Sequence, residues 1–94
     1  MRVLVVYDVS DDSRRLRLSR ELERMGLSRV QRSAFVGPGG LAVAKEAARA
    51  AAQLVDDSTD VVHVVLLSEV EWANALVVGR PLAAPRVAEV TLLG

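Results

Sequence analysis

An unbroken apolar run near the start of the chain constrains the fold most. Residues 3–6 (VLVV) contain no polar side chain, and the run ends at Tyr7 and Asp8. A strand with one solvated face alternates apolar and polar residues, whereas a continuous run is typical of a strand covered on both faces. We therefore predict a strand over residues 2–7 with two buried faces.

Turn and capping signals divide the rest of the chain into further elements. Asp11, Asp12 and Ser13 are helix-start residues, and we predict a first helix that runs to about Met25 and ends at Gly26. The remaining predictions are a strand over 29–36, a GPGG loop over 37–40, an Ala-rich helix over 41–55, a turn over 56–60, a strand over 61–67, one helical turn over 69–73, a short strand over 76–78 and a last strand over 87–93.

These elements favour a single α+β domain over residues 1–94. The predicted layout is ferredoxin-like, of the βαββαβ type, with a four-stranded antiparallel sheet, two helices on one face and an extra C-terminal strand. The second sheet face would then be bare, although the run at 3–6 predicts that it is covered. A second copy packed about a two-fold axis would cover it, and 51% hydrophobic residues in a small domain favour the same homodimer. The strand over about 87–93 would complete a sheet edge, with the partner subunit's edge as one option.

Composition excludes several classes of protein. The chain has no cysteine, so disulfides and thiolate metal sites are excluded. No apolar run reaches the roughly 18–20 residues that a membrane helix needs. Nothing resembles a signal peptide, and we expect a soluble, cytoplasmic protein with no membrane partner.

The charges are unevenly distributed although the net charge is zero. The first 33 residues carry eight arginines against five acids, and the remainder has the opposite excess. Arg17, Arg20 and Arg24 form one helical stripe, flanked by Arg14. The stripe fits phosphate contacts to a nucleic acid, and it fits equally a solvated face with local ion pairs to Glu21 and Glu23.

Asp8 is the most informative single position. A carboxylate directly after a buried strand is unusual, and neighbouring residues already supply the helix start. The alternative is an ordinary turn residue. Metal-assisted phosphodiester cleavage needs more than one hard ligand, so a site at Asp8 would need two copies of the chain meeting near the strand tip.

Other candidate residues are assigned to structure. Tyr7 and Phe35 are expected to pack in the core or on strands, and His63, inside a valine-rich strand, is expected to be structural or partly buried. GPGG lacks the spacing of a nucleotide-binding loop. Direct reading of bases has no support, because few aromatic residues are available for stacking.

The stretch VVYDVSDDSRRLRLSRELERMGLSRVQRSAFVG resembles the N-terminal signature of the small CRISPR-associated endonuclease of spacer acquisition, the second of the numbered Cas proteins. The shared pattern is a strand ending in Tyr-Asp, an acidic turn, an Arg-rich helix, and an Arg-Val-Gln-x-Ser-x-Phe strand. SEVEWANALVVG is similar to the second half of the family more loosely. Arg32 stands where tyrosine is common in the family.

The resemblance implies a ferredoxin-like homodimer whose C-terminal strands add to the partner subunit's sheet. It implies that Asp8 is the metal-binding aspartate at the dimer interface, with Mg²⁺ as the cofactor and Mn²⁺ as an alternative. The positions that match those associated with nuclease activity are Arg15, Arg17, Arg29 and Phe35, with Tyr7 beside the aspartate.

Two functions follow from this resemblance, both in antiviral defence. The first is a metal-dependent endonuclease that cleaves single-stranded RNA or double-stranded DNA, with arginines positioning the backbone. The second is a non-catalytic adaptor that binds duplex DNA and bridges dimers of the CRISPR integrase through Arg14, Arg17, Arg20 and Arg24. A third, weaker option is a ferredoxin-like regulatory module that binds a small ligand.

Overall fold

The computed structural model describes residues 1–80 of the chain. Its elements in chain order are β1 (Arg2–Asp8), α1 (Asp12–Arg24), β2 (Ser28–Gln31), β3 (Ala34–Pro38), α2 (Leu41–Leu54), β4 (Val61–Leu67) and α3 (Glu69–Ala73). The four strands form one antiparallel sheet in the order β2-β3-β1-β4. The predicted ferredoxin-like βαββαβ layout is confirmed, and the strand predicted over 87–93 lies outside the described residues.

The strand predicted over 29–36 is wrong in one respect, since it is a hairpin of two strands. β2 and β3 pair antiparallel across a tight turn at Arg32 and Ser33, with a register shift between Arg29 and Gln31. Two-residue hairpin turns usually need positive φ and therefore glycine or asparagine. Neither Arg32 nor Ser33 has positive φ, so the turn carries no sequence signal.

Two smaller predictions are also corrected. Gly37 and Pro38 belong to β3, so the loop predicted over 37–40 is shorter. Residues 76–78 form no strand, and the fourth strand of the sheet comes from the hairpin instead. The two long helices end close to their predicted ends, α1 at Arg24 and α2 at Leu54.

One face of the sheet carries the main core. Val3, Val5 and Tyr7 of β1 point to this side and pack with Leu18 and Leu22 of α1. Alanines of α2 lie in the same cluster, so both long helices cover this face. Small alanine side chains let α2 approach β1 and β4 closely.

The other face, called here the open face, is only partly covered. Because side chains alternate along a strand, Leu4, Val6 and Asp8 of β1 point to it. α3 covers one part of it, where Trp72 is buried in a second cluster with Val30 and Val36. Among the described helices, none is long and apolar enough to cross a bilayer.

Candidate metal site and arginine surface

Asp8 is the last residue of β1 and lies exposed at one end of the open face. It pairs in register with Val61 of β4, and the hydrogen bonds and ion pairs within residues 1–80 include none from its carboxylate. A carboxylate with no protein partner is a hard oxygen donor of the kind that Mg²⁺ prefers. The donor set therefore fits a divalent cation, but only in part, since no three metal-ligating side chains converge in the described part of the chain.

The loop after Asp8 is held by a different carboxylate. Asp11 caps α1, and its side chain accepts a hydrogen bond from the backbone N–H of Arg14 at 2.9 Å. Asp60 accepts from the backbone N–H and the hydroxyl of Ser10, at 3.0 and 3.1 Å, and from Arg14 Nε at 3.2 Å. The two acids thus have structural partners, which confirms Asp11 as a helix-start residue and separates both from Asp8.

Hydrogen bonding also sets the titration of Asp60. Backbone N–H donors from Ser10 and Asp56 hold the pKa of Asp60 far below the usual range of an aspartate. The carboxylate is therefore charged wherever the protein is folded near neutral pH.

Tyr7 and Phe35 lie on the helix side of the sheet, away from the open face. Their ring centroids are 6.3 Å apart, and the guanidinium of Arg29 lies 4.9 Å from the centroid of Phe35. Phe35 is fully buried, so it can act on a substrate only by positioning Arg29. Such a cation–π contact attracts the guanidinium to the face of the ring.

A pocket of about 200 Å³ opens beside this stack. Its lining residues come from the end of β1, from α1 and from the β2–β3 hairpin: Tyr7, Asp12, Arg15, Leu16, Ser19, Arg29 and Arg32. Arg15 donates to the carbonyl of Val9 at 2.9 Å and pairs with Asp12, while Arg29 donates to the carbonyl of Arg32 at 2.5 Å. The pocket has three arginines against one carboxylate and can accept an anionic group.

The arginine stripe of α1 divides into paired and unpaired members. Arg24 forms an ion pair with Glu21 at 2.6 Å, and Arg14 forms one with Asp60 at 3.2 Å. Arg17 and Arg20 are exposed, and neither has an ion pair within the part of the chain that the structure describes. The helix therefore carries both arginines held in ion pairs and exposed arginines without one among the described residues.

Comparisons with known proteins decide the family. The family model described as CRISPR associated protein Cas2 matches residues 1–75. The chain belongs to the Cas2 family. It is 44% identical over 75 residues to the CRISPR-associated endoribonuclease Cas2 of Thermofilum pendens, covering 80% of each chain, and 43% identical over 65 residues to that of Aeropyrum pernix, covering 69% of this chain and 71% of the other.

Solved structures agree with the Cas2 assignment. Streptococcus pyogenes Cas2, in a crystal structure at pH 6.5, superposes with a TM-score of 0.64 at 28% identity, covering 84% of this chain and all of that one. A hypothetical protein, TT1823 of Thermus thermophilus, gives a TM-score of 0.65 at 30% identity, covering 71% of this chain and 80% of the other. The predicted family resemblance is confirmed.

In this Cas2 family chain, the predicted site residues do not form one cluster. Asp8 points to the open face, whereas Tyr7, Arg15 and Arg29 lie around the pocket on the helix side. Arg17 lies on the exposed surface of α1. One protomer thus holds a carboxylate on one face and a group of arginines on the other.

The predicted partial burial of His63 is wrong. The residue was expected to be structural or partly buried, but it is exposed on the open face, directly across from Val6. The valine-rich strand suggested burial on both sides, yet β4 alternates between exposed and half-buried residues. His63 is two residues from both Val61 and Val65, so the three side chains lie on the same face of β4. This spacing was the signal that the sequence offered.

Proposed function

We propose that this chain is a metal-dependent endonuclease of CRISPR spacer acquisition that works as a homodimer, with the cation held between the Asp8 carboxylates of two copies. The observation that carries the proposal is an exposed carboxylate at the end of an apolar face, with no hydrogen-bond or ion-pair partner among residues 1–80. The relatives named endoribonuclease make single-stranded RNA the first substrate to test, and double-stranded DNA the second.

The open face supports the pairing of two copies. Val6, Val61 and Val65 each expose more than a third of their surface there, and together they form an apolar patch around His63 and next to Asp8. Apolar patches of this kind mark interaction sites, and a two-fold contact buries the same patch on both subunits. Two carboxylates brought together in this way repel each other unless a cation lies between them.

The chain's own residues have distinct parts in this mechanism. Mg²⁺, or Mn²⁺ as an alternative, would supply charge stabilisation of the scissile phosphate and a more acidic bound water. The Asp8 side chain would hold the cation. Asp60, which accepts hydrogen bonds from Ser10, fixes the loop that follows Asp8. Arg15, Arg17 and Arg29 bind phosphates of the substrate strand. The ring of Phe35, which stacks with Tyr7, holds the guanidinium of Arg29 in position.

Substitution of Asp8 tests the proposal directly. Asp8→Asn should lower Mg²⁺-dependent cleavage of single-stranded RNA or duplex DNA by about 100-fold or more, because the charge stabilisation by a bound metal is worth several kcal/mol. Asp57→Asn, at another exposed aspartate, is the matched control and should cleave like the wild type. Chelation of the metal should reduce the wild type to the level of Asp8→Asn. Equal cleavage by Asp8→Asn and wild-type protein would contradict the proposal.

A second candidate function is a DNA-binding adaptor that bridges CRISPR integrase dimers without cleaving. The observation that favours it is the exposed pair Arg17 and Arg20, which no acidic residue of the described chain neutralises. A two-fold pair of such helices would present basic surfaces at both ends of the dimer to a duplex backbone. Under this function, Asp8→Asn would leave spacer acquisition intact.

A further inference from the structure

His63 and Asp8 occupy neighbouring positions on the open face. In the antiparallel pairing of β1 with β4, Asp8 lies opposite Val61 and Val6 lies opposite His63. Asp8 and His63 are therefore diagonal neighbours that point to the same side of the sheet. Such diagonal positions are about 7–8 Å apart and remain within reach of long and aromatic side chains.

A bound cation can span this separation. Imidazole nitrogen and carboxylate oxygen each bind a metal at about 2.0–2.2 Å, and both side chains extend from the sheet towards the same space. The hydrogen bonds and ion pairs found within residues 1–80 involve neither side chain, so no protein contact has to break. Arg2, at the far end of the same face, is by contrast paired with Glu69 and stacked over Trp72.

The surroundings of His63 make a purely packing role costly. Its neighbours across and along the strand are Val6, Val61 and Val65, all exposed and apolar. If a second copy covers this face, the imidazole is buried among valines, where an unpartnered polar group costs free energy. A ligand to the ring nitrogen removes that cost.

We infer that His63 is a metal ligand that acts together with Asp8, so that two copies of the chain offer two carboxylates and two imidazoles. The inference rests on the proposed function in placing a cation at Asp8. Imidazole suits first-row transition metals, whereas Mg²⁺ favours oxygen ligands. The site therefore binds ions such as Mn²⁺ and Zn²⁺ more tightly than Mg²⁺, and His63 is the residue that determines this preference.

The first experiment is calorimetric titration of the full chain with Mn²⁺ and with Mg²⁺. His63→Phe, which keeps an aromatic ring on the face, should weaken Mn²⁺ binding by at least about tenfold while Mg²⁺ binding changes less than about twofold, because only Mn²⁺ uses the imidazole. Val65→Ile is the matched control, since it alters the same face beyond the reach of Asp8 and places no polar group in the contact between the two copies. Sedimentation of each variant shows whether its assembly is unchanged.

The second experiment observes the ring itself. His63 is the only histidine in the chain, so its ring ¹⁵N signals need no separate assignment. Addition of diamagnetic Zn²⁺ should shift one ring nitrogen strongly in the wild type and leave it unshifted in Asp8→Asn. A structural histidine would show no such shift.

The outcomes separate the two proposals. If Asp8→Asn loses both metals and His63→Phe keeps the wild-type ratio of Mn²⁺ to Mg²⁺ affinity, His63 is not a ligand and the site at Asp8 stands. If Asp8→Asn binds both metals like the wild type, the metal site at Asp8 is refuted, and the role of His63 with it. An equal loss of Mn²⁺ affinity in Val65→Ile would assign the effect to disturbance of the face and overturn the inference.

Discussion

Asp60 shows how much of the site depends on one carboxylate that takes no part in chemistry. Its side chain has no exposed surface. It accepts hydrogen bonds from Ser10 and Asp56, which lie in two separate loops, and from Arg14 of α1. Through Ser10 it fixes the chain two residues after Asp8. The charged Asp60 therefore ties the loop that follows β1 to the loop that precedes β4.

The lowered pKa of Asp60 predicts a pH-dependent stability. The stabilisation is complete above about pH 4, the ordinary range of an aspartate, and is lost as the pH falls towards the lowered pKa of the folded state. Asp60→Asn should lower the Tm by several degrees at neutral pH, and its Tm should fall less than that of the wild type between about pH 4 and pH 2. Thermal unfolding followed by circular dichroism across this range measures both slopes. Asp57→Asn is the control. Parallel slopes of Tm against pH for Asp60→Asn and the wild type would refute the stabilising role of the charged Asp60.

Single-residue predictions from the sequence rest on position along a strand and miss what depends on three-dimensional packing. Asp8 stands out because it follows a continuous apolar run, and its role at a metal site stays a prediction. His63 was misassigned because a run of valines does not reveal that β4 has one exposed face. Arg29 and Phe35 lie on the two strands of the β2–β3 hairpin. Because the hairpin was not predicted, the contact between them could not be predicted either.

At the scale of elements, the strength of local signals decided what could be predicted. β4 and α3 have the predicted bounds, since turn residues flank β4 and Ser68 forms a capping box with Glu71 at the start of α3. β2 and β3 were merged because their turn uses Arg32 and Ser33 instead of glycine. The four-stranded sheet was still predicted, because the connection rules for α+β folds left few alternatives.

α1 provides a quantitative test of nucleic-acid binding by one element. Arg17→Gln with Arg20→Gln should weaken binding to duplex DNA and lower the slope of log affinity against log salt by about 2 per protomer, since each phosphate contact contributes about 0.9. The double variant Lys45→Gln, Arg49→Gln, on the exposed side of α2, removes the same charge and should change neither value appreciably. Fluorescence anisotropy at several salt concentrations gives the slopes. Equal slopes for the two double variants would show that net charge, and not the stripe, attracts the DNA.

At the scale of the whole molecule, the two faces of the sheet differ in how completely they are covered. The helix side is closed by α1 and α2 and holds the buried rings of Tyr7 and Phe35. The open face leaves Val6 at 41% and Val61 at 46% exposure. Under the proposed function, a metal site with one carboxylate per chain is incomplete in the protomer, so assembly and chemistry would depend on the same surface.

Val65→Glu tests this dependence. Val65 lies within the open face but away from Asp8, and a carboxylate buried there in a two-fold contact would lack a partner and face its own copy, at a cost of several kcal/mol. The variant should sediment as a 10.1 kDa monomer, whereas the wild type should have twice that mass. It should also lose Mg²⁺-dependent cleavage although Asp8 is unchanged. Leu41→Glu places the same charge at an exposed position of α2 and should stay dimeric and active.

The two readouts for Val65→Glu distinguish an assembly defect from a folding defect. Far-ultraviolet circular dichroism should match that of the wild type, because Val65 is already 39% exposed in the protomer and lies outside both buried clusters. Raising the protein concentration should restore part of the activity together with the dimer, since mass action opposes the added repulsion. A monomeric Val65→Glu that cleaves at the wild-type rate would show that one Asp8 suffices, and the two-fold metal site would have to be abandoned.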